Sequence, residues 1–264
     1  MDVLSPRTVA EALRLKAERP EARPIQGGTD VMVELNFDRS RPPALLNLNE
    51  VAELRGWSRE NGTLRLGASL TYTEAMSGQL AEAFPALAEA SRTVGSPQIR
   101  NRGTIGGNLG TASPAGDALP PLVVRGAEVE LVSVRGVRTM ALTAFLTGPK
   151  QNALAPDELI AGVLVPSNSL LQGSETFMKV GPRNAMVIAV VSLALRVEGD
   201  ELVASFGSAG PVTGLVRAPL AERAEFPERV AAAASPIDDV RGTAAYRRHA
   251  LRVLTERALD RCLA

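Results

Sequence analysis

The sequence predicts an α+β fold, and three observations predict it. Asn61-Gly62 lies between Leu54, Trp57 on one side and Leu64, Leu66, Ala68 on the other, a dipeptide that favours a tight turn between antiparallel strands. Ala127-Glu128-Val129-Glu130-Leu131 alternates apolar and polar residues as a half-buried strand does. Phe84, Leu87, Ala88, Ser91 and Val94 instead recur at helical spacing, as do Ala250, Leu254 and Ala258 near the C-terminus.

Taken in order, Ser5-Pro6 reads as an N-cap and first-turn proline. Val9, Ala12, Leu13 and Ala17 then form a helical stripe that Pro20 ends. Ala22 to Gln26 is short and extended; Gly27-Gly28-Thr29-Asp30 is a glycine loop, and Val31 to Leu35 a second helix or turn. After the hairpin, Thr71 with Glu74 gives a capping-box start. Leu159 to Val165 reads as a strand ended by Pro166, and Ser167 to Ser174 is small and polar enough to be a linker. Met186 to Val197 and Glu201 to Ser208 read as strands joined by Glu198-Gly199-Asp200. Ala218 to Ala234 and Thr243 to Leu263 read as helices. This pattern divides the chain into units at 1–54, 55–166 and 175–264.

Composition excludes several function classes. Lys plus Arg equals Asp plus Glu at 29 each, so no net positive field draws nucleic acid. No apolar run is long enough for a bilayer and no leader-like start is present, so a cytoplasmic protein without membrane attachment is expected. With one cysteine, Cys262, and one histidine, His249, the chain cannot form an intrachain disulfide or ligate an iron–sulfur cluster, and no metal site is expected. Hard redox chemistry on so few reactive side chains implies a bound organic cofactor, with no catalytic side chain of its own.

Two glycine pairs are the candidate ligand sites: Gly27-Gly28 after a strand, and Gly106-Gly107 within Thr104-Ile105-Gly106-Gly107-Asn108. Glycine lets a backbone approach a ligand closely, and consecutive N–H groups can cradle a pyrophosphate. One such pair alone reads as a plain turn. Neither a GxGxxG nor a Walker signature is present.

The second pair lies in the run Gln98 to Asp117, which resembles the flavin-binding signature of the FAD-binding (medium) subunit of molybdenum hydroxylases, the xanthine dehydrogenase and carbon monoxide dehydrogenase family. Gln26-Gly27-Gly28-Thr29-Asp30 resembles the family's first FAD loop, Phe177 to Arg183 its later lysine-containing strand, and Thr243 to Arg248 its C-terminal helix. The resemblance implies a two-part FAD-binding module of the vanillyl-alcohol oxidase superfamily (1–54 and 55–166) plus a small C-terminal antiparallel sheet-and-helix domain (175–264). It also implies site residues. Ile25, Gln26, Gly27, Gly28, Thr29, Asp30 and Val31 would wrap the FAD pyrophosphate through their amides, and Thr104, Ile105, Gly106, Gly107 and Asn108 would line the flavin and its ribityl-diphosphate chain. Asp117 would bind FAD hydroxyls, Lys179 would stabilise reduced, anionic flavin, and Val94 and Gly95 fall at further contacts.

FAD is expected to be non-covalent, since His249 and Cys262 lie far from these loops in sequence. In this family the substrate is oxidised at a molybdenum cofactor on a large partner subunit. Electrons reach FAD through 2Fe-2S clusters on a small one and pass to an acceptor such as NAD. A purine or other N-heterocycle is the expected substrate of the assembly, with carbon monoxide or an aldehyde the alternative. The rivals are a stand-alone FAD oxidoreductase, disfavoured by one Trp, two Tyr and six Phe, and a flavin-free scaffold between partners.

Overall fold

The computed structural model describes residues 1–166, 173–183 and 186–264; most of the linker expected at 167–174 lies outside them. Among the described residues, three larger sheets follow one another along the chain, with one two-stranded ribbon besides.

The first is parallel: β1 (Asp2–Leu4), β2 (Arg23–Ile25) and β3 (Ala44–Asn47), in the order β1-β3-β2. Crossovers through α1 (Val9–Glu18) and α2 (Val31–Asn36) make the parallel pairing possible. The cap of α1 is Thr8, whose hydroxyl accepts from the Glu11 amide at 3.1 Å, and not Ser5 as the sequence suggests. Asp2–Leu4 is drawn into the sheet against Ala44–Leu46, so Ser5 to Arg7 is used for the turn into the helix.

The second sheet is antiparallel, ordered β4-β5-β10-β6-β7 from β4 (Trp57–Glu60), β5 (Thr63–Gly67), β6 (Glu128–Ser133), β7 (Gly136–Ala141) and β10 (Leu159–Pro166). Asn61 and Gly62 both have positive φ, 49° and 73°, as the expected hairpin turn requires. Between β5 and β6 lie α3 (Tyr72–Ala75), α4 (Gly78–Ala83), α5 (Pro85–Thr93), α6 (Pro97–Arg100), α7 (Ile105–Thr111) and α8 (Leu119–Val124). The turn α9 (Leu142–Phe145) and the ribbon β8 (Leu146–Gly148) and β9 (Gln151–Asn152) precede β10. Ala161 has no partner on β6, a bulge that reverses which face the odd-numbered residues take. Leu159 and Ala161 therefore pack with Leu46 and Leu54 of the first unit, while Val163 and Val165 join Leu87, Ile105 and Leu122 in the main core. The sheet is thus the wall between the parallel unit and the helices.

The third sheet is a meander of β11 (Ser174–Val180), β12 (Val191–Glu198), β13 (Glu201–Gly207) and β14 (Gly214–Pro219). Phe177, Ala194 and Val203 on one face enter the main core. Leu193, Leu195 and Phe206 on the other pack with α10 (Phe226–Ala233) and α11 (Ala244–Leu263). Two expectations are corrected here. Ala218 to Glu225 is the end of β14 and a 3-10 turn at Leu220–Glu222, because Leu202↔Ala218 and Glu201↔Pro219 pairing captures it. Met186 to Val190 is not strand; β12 begins at Val191. Among the described residues no helix is long and apolar enough to cross a membrane.

Candidate functional site

One cleft lies between the parallel unit and α7, and both glycine pairs line it. Its walls include Ile25 through Val31 from the first unit and Thr104, Gly106, Gly107 and Asn108 from the second, with Ser69 and Tyr72 between. The two loops touch. A Cβ added to Gly27 would sit 2.6 Å from the Arg102 carbonyl carbon and 3.1 Å from Gly103 Cα, so only glycine permits this approach. Gly28 has φ +75°, the left-handed conformation that turns the chain from β2 into α2.

The pairs differ in what they offer a ligand. Met32 N donates to the Gly28 carbonyl, but among the described residues the amides of Gly27, Gly28, Thr29 and Asp30 donate to no protein acceptor. Four consecutive free N–H groups are the donors that an anion cradle requires. The Arg102 guanidinium stands beside them, donating to the Asn49 side chain at 3.0 Å and the Gln26 carbonyl at 3.4 Å.

Gly106-Gly107, by contrast, is no loop but the first turn of α7, capped by Thr104. Its amides are engaged: Ile105 N donates to Leu70 O, Gly106 N to Ala68 O, Gly107 N to Thr104 Oγ1 and Asn108 N to Thr104 O, all within 3.0 Å. The second pair thus supplies a flat backbone surface and not free donors. Gly106 is pressed against Ala68, 2.6 Å from a notional Cβ, whereas a Cβ on Gly107 would meet only Thr104 Oγ1.

Ile105 is fully buried beneath this surface and does not line the cleft. Neither do Val94 and Gly95, whose carbonyls accept from Arg100 Nη1 at the end of α5. Asp117 and Lys179 form a buried ion pair of 2.5 Å outside the cleft, with Lys179 Nζ also donating to Thr93 O at 3.3 Å. Burial drives the Asp117 carboxyl above its ordinary value, and Lys179 opposes the rise. Lys179 and Thr93 line a second pocket with Gly181, Arg183 and Val187. Asn108, which lines the cleft, lies with its amide group against Gly116, the residue before Asp117.

Sequence reasoning missed Tyr72 and Arg102. Tyr72 is the first residue of α3, fixed by the Thr71–Glu74 capping box, and its ring packs on Gly103 while facing the cleft. Burial, then the charges of Asp117 and Asp30, push its hydroxyl pKa well up, so it stays protonated.

Comparison with known proteins gives the same architecture. The chain superposes on a carbon monoxide dehydrogenase from Hydrogenophaga pseudoflava which lacks the Mo-pyranopterin moiety of the molybdenum cofactor. The TM-score is 0.91 at 23% identity, covering 100% of this chain and 97% of that one, and it shows the expected fold. The xanthine dehydrogenase FAD-binding subunit of Escherichia coli O157:H7 is 29% identical, covering 97% of this chain and 94% of that protein. The nicotinate dehydrogenase FAD-subunit of Eubacterium barkeri is 35% identical, covering 76% and 69%. Residues 1–168 match the FAD binding domain in molybdopterin dehydrogenase, and the chain belongs to that family of oxidoreductases.

Proposed function

We propose that this chain is the FAD-carrying electron-transfer subunit of a molybdenum hydroxylase. It takes electrons from 2Fe-2S clusters on a small partner subunit while substrate is oxidised at the molybdenum cofactor of a large one. The observation that carries this reading is the row of four residues with unpaired amides, Gly27 to Asp30, lining a cleft whose other side is the glycine surface of α7.

The residues present fit FAD. Free amides and the Arg102 cation suit a diphosphate. The cleft also holds two buried acceptors without a protein partner, Gln26 Oε1 and Asn108 Oδ1, which suit hydroxyl or amino donors of a dinucleotide. Gly107 leaves open the space that any side chain there would fill. Bound FAD supplies the chemistry, accepting electrons and passing them on. The protein binds and orients it: Ile25 to Val31 grip the diphosphate, and Thr104, Gly106, Gly107 and Asn108 form the floor. Lys179, held by Asp117 and Thr93, places a cation that favours the added negative charge of the reduced cofactor. Attachment is non-covalent: His249 is exposed on α11 and Cys262 packs in the C-terminal core.

A purine or other N-heterocycle is the substrate we favour for the assembly, supported by the xanthine and nicotinate enzymes among the relatives. NAD is the proposed electron acceptor. Purified chain should carry close to one FAD, released intact by denaturation, and co-purified partners should contain molybdenum and iron. Colourless protein that takes up no added FAD rejects the reading in favour of a scaffold.

A further inference from the structure

The edge of the third sheet is held by a helix and not by another strand. Among the described residues β11 pairs only with β12, and its other edge lies against α5. Three ties run along the two elements in the same direction. At the start, Glu175 accepts from Ala86 N at 3.1 Å and pairs with buried Arg125 at 2.6 Å. In the middle, Glu89 Oε2 accepts from Phe177 N at 2.7 Å and from Thr176 Oγ1 at 2.9 Å. At the end, Lys179 donates to Thr93 O and Asp117. The lengths match: Ala86 to Thr93 spans about 10 Å of helix and Glu175 to Lys179 about 13 Å of strand. Glu175, Phe177 and Lys179 share one face of β11, so the depth of Lys179 is set by where the strand is held one pleat earlier.

We propose that Glu89 is a positioning residue: by substituting its carboxylate for the missing neighbour strand at Phe177, it fixes Lys179 at the Asp117–Thr93 end of α5, where the cation acts on bound FAD. This rests on the FAD role proposed above. Glu89 lines neither pocket, so it acts on the cofactor either through the field of its own charge or through Lys179. Its sign is diagnostic. Deleting a carboxylate near FAD electrostatically raises the reduction potential, whereas displacing Lys179 lowers it.

The test measures the midpoint potential of FAD bound to Glu89→Ala, Glu89→Gln, Lys179→Met and Glu89→Ala/Lys179→Met, with thermal unfolding alongside. We expect Glu89→Ala to weaken binding of reduced relative to oxidised FAD at least tenfold, a drop of about 30 mV for a two-electron couple. Glu89→Gln, which keeps an acceptor for Phe177 N–H, should recover most of it, and Glu89→Ala should add nothing once Lys179 is gone. If Glu89→Ala does not fold, Glu89→Asp carries the test, since it keeps the charge but falls one methylene short of Phe177 N–H and should also lower the potential. An unchanged or raised potential, or an undiminished shift in the Lys179→Met background, overturns the positioning role. No effect of Lys179→Met itself overturns the reading of Lys179 at the flavin, and the inference with it.

Discussion

Replacing Gly27 with alanine puts the convergence of the two loops under direct strain. The new methyl would lie 2.6 Å from the Arg102 carbonyl carbon, against the 3.5 Å or so at which carbon atoms rest in contact. The loops must therefore part by about 1 Å. The obstacle is backbone, not a side chain that can swing away, and Arg102 also holds Gln26 and Asn49 from the same place. Losing even one amide bond to the charged diphosphate costs about 1.5 to 3 kcal/mol, on the order of tenfold to a hundredfold in affinity at 1.4 kcal/mol per decade. The amide cradle would still exist but no longer face α7. Titrating apoprotein with FAD, followed by quenching of flavin fluorescence, should show a dissociation constant raised about tenfold to a hundredfold while far-UV circular dichroism stays native. Affinity within threefold of wild type refutes the idea that contact between the loops builds the site.

Gly107→Ala should separate binding from folding: alanine gains up to about 1 kcal/mol over glycine within a helix, yet its methyl enters the cleft, so FAD affinity should fall while the melting temperature holds or rises. Asp117→Asn strands the Lys179 ammonium, only 6% exposed, in the interior; we expect a loss of about 3 to 5 kcal/mol in urea unfolding, smaller in the Asp117→Asn/Lys179→Met double variant. For pH dependence, hydrogen bonds from Arg138 hold the Glu158 carboxyl below its ordinary value of 4.5. A depressed carboxyl stabilises the fold above 4.5 and loses that contribution as pH falls through its folded value. Arg138→Met should therefore flatten the decline of unfolding free energy below pH 4.5, and an unchanged acid limb counts against this pairing.

Much of the architecture was legible because local signals and tertiary demands agree. Asn61-Gly62 is a turn by its own dihedral preference, the Thr71–Glu74 box forms as read, and Thr243 caps α11 through Leu263. Where tertiary pairing decides, the sequence was silent or misleading. β1 and β3 are too short to show a period and exist because each completes the other's ladder. Ala218 has helix-favouring composition around it but is captured by Leu202 across the sheet.

The site was legible as two glycine pairs, but not as two different devices. Gly27-Gly28 leaves its amides free because the chain turns left-handed at Gly28. Gly106-Gly107 has none free because Ala68 O and Thr104 Oγ1 take them. That difference depends on contacts across 30 and more residues, which no local motif encodes. Tyr72 was hidden for a related reason: it is a buried core residue by composition and a cleft residue by position.

On the proposed function, the free amides of Gly27 to Asp30 hold a diphosphate against the glycine surface of α7. A crystal structure of the chain with FAD tests it most directly. Diphosphate oxygens should lie within hydrogen-bonding distance of those four amides, with no more than van der Waals contact at Gly107. FAD seated elsewhere, with the Gly27 to Asp30 amides facing solvent, contradicts it.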